Sequence, residues 1–373
     1  MRRSITLGRT TAAIAVAATS LLGTTAVAAD ADTRDRVQTL DQLYTAAKAE
    51  GGTLTIYAGG DQPGQFDQIS SAFQAQFPDI HVKVQVDLSK YHDARIDNQL
   101  ARGALEPDVA YLQTVQDFGR WKREGVLLKY RPIGWEHVQP TYKDPQGYFT
   151  GLTVLAVTNV VNLDLLPGTT APKDYSDFLD PSLKGRLAMT FPNDDDAVLY
   201  QWKLAVDTYG WDFVRQLVAQ DPAFSRGTPV AAGAVAAGFA AASFGSIFPV
   251  APIPGLNVRS QFPPHDPFQS WAQTAAIFKA AQHPAAAKLF MSWMLSAPVQ
   301  QGAPFWPARD DVTPANGLAP IANYNTDPVA FKTFMTDRAG VESFRNQVEL
   351  YVGQVTGPNP AVTAGPGPFF PAS

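Results

Sequence analysis

Asn193-Asp194-Asp195-Asp196 sets three carboxylates side by side after a residue suited to cap a helix. Acids are favoured in the first turn of a helix by its dipole, and the same trio can also hold a cation or an amine. A second stretch, "TLTIYAGGDQPGQ" at 53–65, reads as a strand that stops at Gly59, Gly60 and Asp61. Its glycines match neither G-x-G-x-x-G nor a phosphate loop ending in G-K-S/T. Yet the loop lies at the carboxyl end of a strand and before a helix, where open α/β sheets bind ligands, and a plain tight turn is the competing reading.

Other chemistry finds no support. His81, His92, His137, His265 and His283 are scattered without a ligand spacing such as H-E-x-x-H. "FGSIF" at 244–248 is not the G-x-S-x-G elbow of a hydrolase, and no S-x-x-K occurs. The chain has no Cys, which removes disulfides, thiolate metal sites and a thiol nucleophile. No catalytic residue, metal site or cofactor is assigned.

The elements that must position these loops follow from periodicity. Phe66, Ile69, Phe73 and Phe77 recur at helical steps and stop at Pro78. Ile80, Val82, Val84, Val86 and Leu88 alternate as a half-buried strand. "YHDARIDNQLARG" predicts a helix, "DVAYL" at 108–112 a strand, and "VQDFGRWKREG" a helix. Alternating strands and helices predict a mostly parallel sheet covered on both faces. The apolar run 148–162 predicts two buried strands or one strand crossing between domains. A second α/β unit then begins near 156, with a helix capped by Asn193 and the Ala/Gly-rich 230–245 turning from helix to strand. The chain leads out again through 250–262 to the strand "AQTAAIF" and a helix from Pro284 that breaks at Pro298.

The chain of 373 residues suits about two domains, and its 45 % hydrophobic content can bury a large core. Residues 1–28 have the pattern of a signal peptide: Arg2, Arg3 and Arg9, a short apolar run over 11–22, and Ala26-Val27-Ala28 as cleavage site. The mature chain is expected to start near Ala29, exported to the periplasm or beyond. Loss of three Arg leaves 26 basic against 34 acidic residues, a net charge of −8 instead of −5. Nucleic acid, which needs a basic face, is not an expected partner.

"LTIYAGG", "PDVAYLQTVQDFGRWKREGVLLKY", "DPSLKGRLAM" and "IFKAAQHPAAAKLFMSWMLSAPVQQ" together resemble the type II periplasmic binding proteins of ABC importers, in the branch with ferric-iron binders and relatives for phosphorylated sugars, thiamine and polyamines. The resemblance implies an α/β fold of two lobes, each a mostly parallel sheet flanked by helices, joined by two crossover strands with the ligand between them. It implies lobe 1 at 36–153 plus 256–315 and lobe 2 at 154–255 plus 316–356; the Pro/Gly-rich composition of 357–373 predicts a disordered tail. It also implies a non-catalytic monomer that closes on a small polar solute, either ferric iron, an iron complex or an organic anion, and docks on a membrane permease. A secreted enzyme on the same scaffold and a transporter-independent sensor or scavenger are the alternatives.

By the resemblance, the loop after the first strand lines the cleft, placing Tyr57, Gly59, Gly60 and Asp61 on the ligand. Other strand ends give Ser89 and Tyr91, Gln113 and Thr114, Asn193, Asp194 and Asp195, and Ser243, Phe244 and Gly245, with Ser270 and Trp271 just before a strand. The iron binders of the branch carry adjacent tyrosines in the second lobe. The matching segment here has Phe244 and Phe248, so ferric iron is not expected to bind through a tyrosine pair.

Overall fold

The computed structural model describes residues 38–168, 170–315 and 317–362. The signal-peptide segment 1–28 and the tail from 363 onward lie outside the described residues.

The chain opens with α1 (Leu40–Ala49), β1 (Thr53–Gly59), α2 (Asp67–Gln76), β2 (His81–Asp87), α3 (Ser89–Ala101), β3 (Val109–Leu112) and α4 (Val115–Arg123). β1 pairs in parallel with β2 on one side and β3 on the other. This is the expected outcome of strand–helix–strand order, because the helical crossover returns the chain to run the same way. Phe73 of α2 is fully buried against Phe77, Phe290 and Trp293, so the face read from the sequence is the one that packs. β2 is an edge strand: Val82, Val84 and Val86 are half-buried, while His81, Lys83 and Gln85 face solvent.

The run 148–162 becomes β4 (Thr150–Ala156) and β5 (Thr158–Asn162), separated by Val157 alone. β4 belongs to the first sheet and β5 to a second one, so the chain passes between the two within a single residue. The second body continues with β6 (Ala188–Thr190), α5 (Asp196–Tyr209), α6 (Trp211–Ala219), β7 (Ala223–Ser225), α7 (Thr228–Ala236), β8 (Ala242–Ser246) and β9 (Val258–Gln261). β8, β5 and β9 form an antiparallel sheet, and β6 and β7 pair in parallel beside it through a bridge from Leu187 to Ala242. β9 lies in the segment 256–315 that the sequence reading gives to the first block. Its pairing with β5 moves the return crossing past Gln261.

β10 (Ser270–Ile277) then inserts antiparallel between β3 and β4, followed by α8 (Pro284–Met294), α9 (Ala297–Gln301) and β11 (Trp306–Pro307). The six-stranded order is β11-β4-β10-β3-β1-β2. α10 (Pro328–Thr336) and α11 (Arg338–Val352) finish the chain, α11 packing Val341, Phe344 and Val348 into the second core. That core centres on Phe178, Trp202, Phe213 and Phe244, and the first on Phe73, Leu152, Phe290 and Trp293. A small cluster of Val115, Val157, Trp271 and Phe331 joins them at the crossing. The fold is thus α/β and two-lobed. Among the described residues no helix is long and apolar enough to cross a membrane.

Two local expectations change. The cap of α5 is Asp195, whose Oδ1 accepts from the amides of Ala197 and Val198 at 2.8 and 3.0 Å. A turn closed by the Asp194 amide on the Phe191 carbonyl consumes the residues before it, so Asn193 falls short of the helix. The tail reading begins at 357, yet residues 359–361 are packed: Pro360 and Ala361 are buried, and the Asn359 amide donates to Asp87 at 2.8 Å.

Candidate ligand cleft

A cavity of about 380 Å³ lies between the two sheets. Its walls come from the strand ends of both bodies: residues 59–61, 88–90 and 113 of the first, and 194–196, 228–229 and 247–249 of the second. β4 and β10 close the floor with Leu152, Thr153, Leu155, Trp271 and Gln273. The end of α8, helix α9 and the loop before β11 add Met294, Val299, Gln300 and Phe305.

The first-body wall is bare because it is tight. A Cβ on Gly59 would lie 1.9 Å from Ser89 Oγ, and one on Gly60 would lie 2.8 Å from Gln65 Oε1 and 2.9 Å from Val86. Ser89 Oγ in turn accepts from the Gln113 amide at 3.0 Å. Three loops after three parallel strands are therefore tied at one point, and the glycines serve that close approach as well as the cavity.

The second-body wall carries charge. Asp194 receives Lys90 Nζ at 2.6 Å from across the cleft and Arg226 Nε at 2.7 Å from its own side. Burial pushes the Asp194 carboxyl up, but the bonds and charges of Arg226 and Lys90 outweigh it and hold the group below the usual range. Arg226 also donates to the Tyr91 hydroxyl at 3.0 Å. Asp61 reaches from the first body to the start of α7, accepting from the Thr228 amide at 3.1 Å and its hydroxyl at 2.9 Å. A helix N-terminus attracts anions, and here a carboxylate of the chain takes that place. Burial raises the Asp61 carboxyl despite those bonds. Burial, then the charge of Asp61, pushes Asp195 up to about 7.

Of the residues expected from sequence, Gly59, Gly60, Asp61, Ser89, Gln113, Asp194, Asp195 and Trp271 line the cavity. The others stand elsewhere. Tyr57 lies inside β1 with its side chain on the opposite face of the sheet; its ring stacks on His92 and its hydroxyl donates to Glu106 at 2.6 Å. Tyr91 sits at the rim on Arg226. Thr114 is buried at the start of α4. Asn193 turns away to the Gly353 carbonyl at 3.0 Å. Ser243, Phe244 and Gly245 lie within β8, which runs to Ser246, so the loop begins four residues later than expected. Ser243 bonds Ser246, Phe244 packs in the core, and Gly245 takes a positive φ of 79° at a shift in strand register. Ser270 bonds Thr326 at 2.7 Å.

Sequence reasoning passed over Lys90, though it stands between two chosen residues. It missed Arg226 and Thr228 because β7 is three residues long; the signal available was Gly227-Thr228-Pro229, a helix start. The apolar wall at Met294, Val299 and Phe305 gave no motif at all.

For a metal ion the wall offers the carboxylates of Asp61, Asp194, Asp195 and Asp196, but they are not gathered into a close cluster. Tyr111 is the tyrosine on the cavity wall, and burial moves its phenol further from ionising. Among the described residues, the one trio of His and carboxylate oxygens within 4.8 Å of one another is His137, Asp310 and Asp311, at the surface outside the cavity wall.

The family of bacterial extracellular solute-binding proteins matches residues 59–301. No curated protein sequence matches the chain. Among solved structures, the periplasmic binding protein AfuA from Actinobacillus pleuropneumoniae, with exogenous fructose-6-phosphate bound, is similar at a TM-score of 0.66 and 17 % identity, covering 81 % of this chain and 98 % of AfuA. Iron-bound HitA from Pseudomonas aeruginosa is similar at 0.61 and 22 %, covering 79 % and 99 %. The spermidine/putrescine substrate-binding protein PotD from Streptococcus pneumoniae is similar at 0.54 and 14 %, covering 80 % and 99 %. At these identities the likeness is one of fold.

Proposed function

We propose that this chain, which belongs to the bacterial extracellular solute-binding protein family, is exported, captures a small solute between its two lobes and delivers it to an ABC permease in the membrane. The family is one of binding proteins rather than enzymes. Lobe 1 is taken as 38–156 with 262–327, and lobe 2 as 157–261 with 328–356.

One observation carries the reading. The cavity has walls from both bodies, and the bonds that shut its mouth all run from one body to the other: Lys90 to Asp194, Arg226 to Tyr91, and Thr228 to Asp61. Such contacts form only when the lobes approach, so the energy of closure is placed where the solute is enclosed. On this partition the chain passes between the lobes at Val157, at 262–269 and at 327–328, and closure would bend it there.

Native mass spectrometry of the purified exported protein tests this. A co-purified solute is expected, bound one per chain and lost in Trp271→Ala, which opens the cavity floor. A solute retained fully by that variant places binding elsewhere.

A further inference from the structure

The chemistry of the cavity wall narrows what it can hold. Several of its donors are already engaged: Trp271 Nε1 donates to Gln273 at 2.8 Å, and the Gln300 amide donates to the carbonyls of Leu152 and Met294 at 2.6 and 2.7 Å. Lys90 is held by Asp194. The N-terminus of α7, the natural seat for a phosphate or carboxylate, is taken by Asp61. An added anion would face Asp61 and Asp195, and among the described lining residues no cation other than Lys90 stands to meet it.

The carboxylates are not equivalent. Asp194 has Lys90 and Arg226, and Asp196 has Arg345. Asp61 has the amide and hydroxyl of Thr228. Asp195 has only the two amides of its own helix, both on Oδ1, and its second oxygen takes no bond from any described residue. It lines the cavity together with Trp271, Phe305, Met294 and Val299. A carboxylate oxygen with no partner among the described residues, and a wall with much aromatic and aliphatic surface, match a solute with a positive head and an apolar body.

We infer that the cleft takes a compact organic monoamine, its aromatic or branched aliphatic body against Trp271 and Phe305 and its protonated nitrogen on Asp195. This rests on the solute-capture reading and gives that site its ligand class. A polyol would set most of its hydroxyls against the apolar part of the wall, and among the described residues the wall brings no three carboxylate or His ligand atoms within 4.8 Å of one another for a bare metal ion. The nitrogen also offsets the burial of Asp195, so binding holds that carboxyl in its charged form.

Calorimetry on the full exported chain with matched probes tests the inference: 2-phenylethylamine, its carboxylate counterpart 3-phenylpropionate, and fructose 6-phosphate. The amine is expected to bind about tenfold or more tighter than the carboxylate, as one partly buried charge pair requires. Asp195→Asn is the informative variant, since Asn caps a helix as well as Asp while removing the charge. It is expected to erase the preference for the amine at unchanged circular dichroism. Tighter binding of 3-phenylpropionate or of the sugar phosphate, equal binding of amine and carboxylate, an unaffected Asp195→Asn variant, or no binding of the amine overturns the assignment. Native mass spectrometry separates the two levels: a non-amine solute in the cleft leaves solute capture standing, whereas a protein with no solute in either measurement counts against capture itself.

Discussion

The two faces of the cleft are built on different principles. The first-body face is backbone held by contact: Gly59 against Ser89, Ser89 against Gln113, with no room for a further carbon. The second-body face is charge held by charge: Asp194 between Lys90 and Arg226, Asp196 on Arg345, and Asp195 with no ion pair among the described residues. The first fixes a shape, and the second sets an electrostatic demand and supplies the bonds that cross the mouth. The proposed capture by closure draws on both, because a rigid face gives the opposite one a fixed target.

The comparison breaks most directly at Arg226. Its side chain and that of Asp194 are 11 and 5 % exposed, so Arg226→Ala leaves a buried carboxylate with Lys90 alone. A loss of about 3 kcal/mol is expected in urea denaturation, from the range for breaking a buried pair. A loss below about 1 kcal/mol would place the pair among exposed ones.

The first face fails by volume instead. Gly59→Ala meets Ser89 Oγ at 1.9 Å and is expected to cost about 2 kcal/mol by overpacking. Adding Ser89→Ala removes the nearest atom and should return part of that loss, a coupling that a double-mutant cycle reads. Strict additivity would show that the contact is not what excludes a side chain at 59.

A pH series separates the faces further. In the unfolded chain a carboxyl titrates near about 4. Asp195 is pushed up to about 7, as is Asp93 on α3, raised by burial and then by Asp117. Folded-state pKa values above the unfolded ones mean that the native state holds these protons more tightly. Their effect is therefore a penalty that is absent below about 4, grows as pH rises towards 7 and is complete above it. Asp195→Asn should flatten part of that slope and alter amine binding, while Asp93→Asn, outside the cavity wall, should flatten another part and leave binding alone. Equal slopes in wild type and both variants would contradict the assignment. The smallest effect is expected at the tail, where Asn359→Ala loses the 2.8 Å bond to Asp87 and about 1 kcal/mol in the same denaturation assay.

How much of this was legible in the sequence follows the same division. The first face was readable because β1, β2 and β3 are strong period-two or apolar strands that end cleanly before helices, so Gly59, Asp61, Ser89 and Gln113 could be placed by topology. The second was not, because β6 and β7 are three residues each and β8 runs past Gly245 to Ser246. Asp194 and Asp195 were found by their chemistry, and Arg226 and Thr228 were lost with the short strand that carries them. Tyr57 misled for a different reason: a side chain two residues before a strand end points to whichever face alternation dictates, and here that is the helical layer over His92. The crossing at Val157 was visible as an apolar run, but only pairing reveals where one sheet gives way to the other.

The chain's lack of cysteine makes the central claim directly measurable. Lys83→Cys on β2 and Lys184→Cys in the second body place one spin label on an exposed site of each lobe. Electron–electron resonance distances are then recorded without and with the solute found in the cleft. A clamp closed by bonds across its mouth gives a broader or longer distribution without solute and a single shorter one with it, and Arg226→Ala shifts the population back to longer distances. Identical distributions in all three samples would contradict capture by closure.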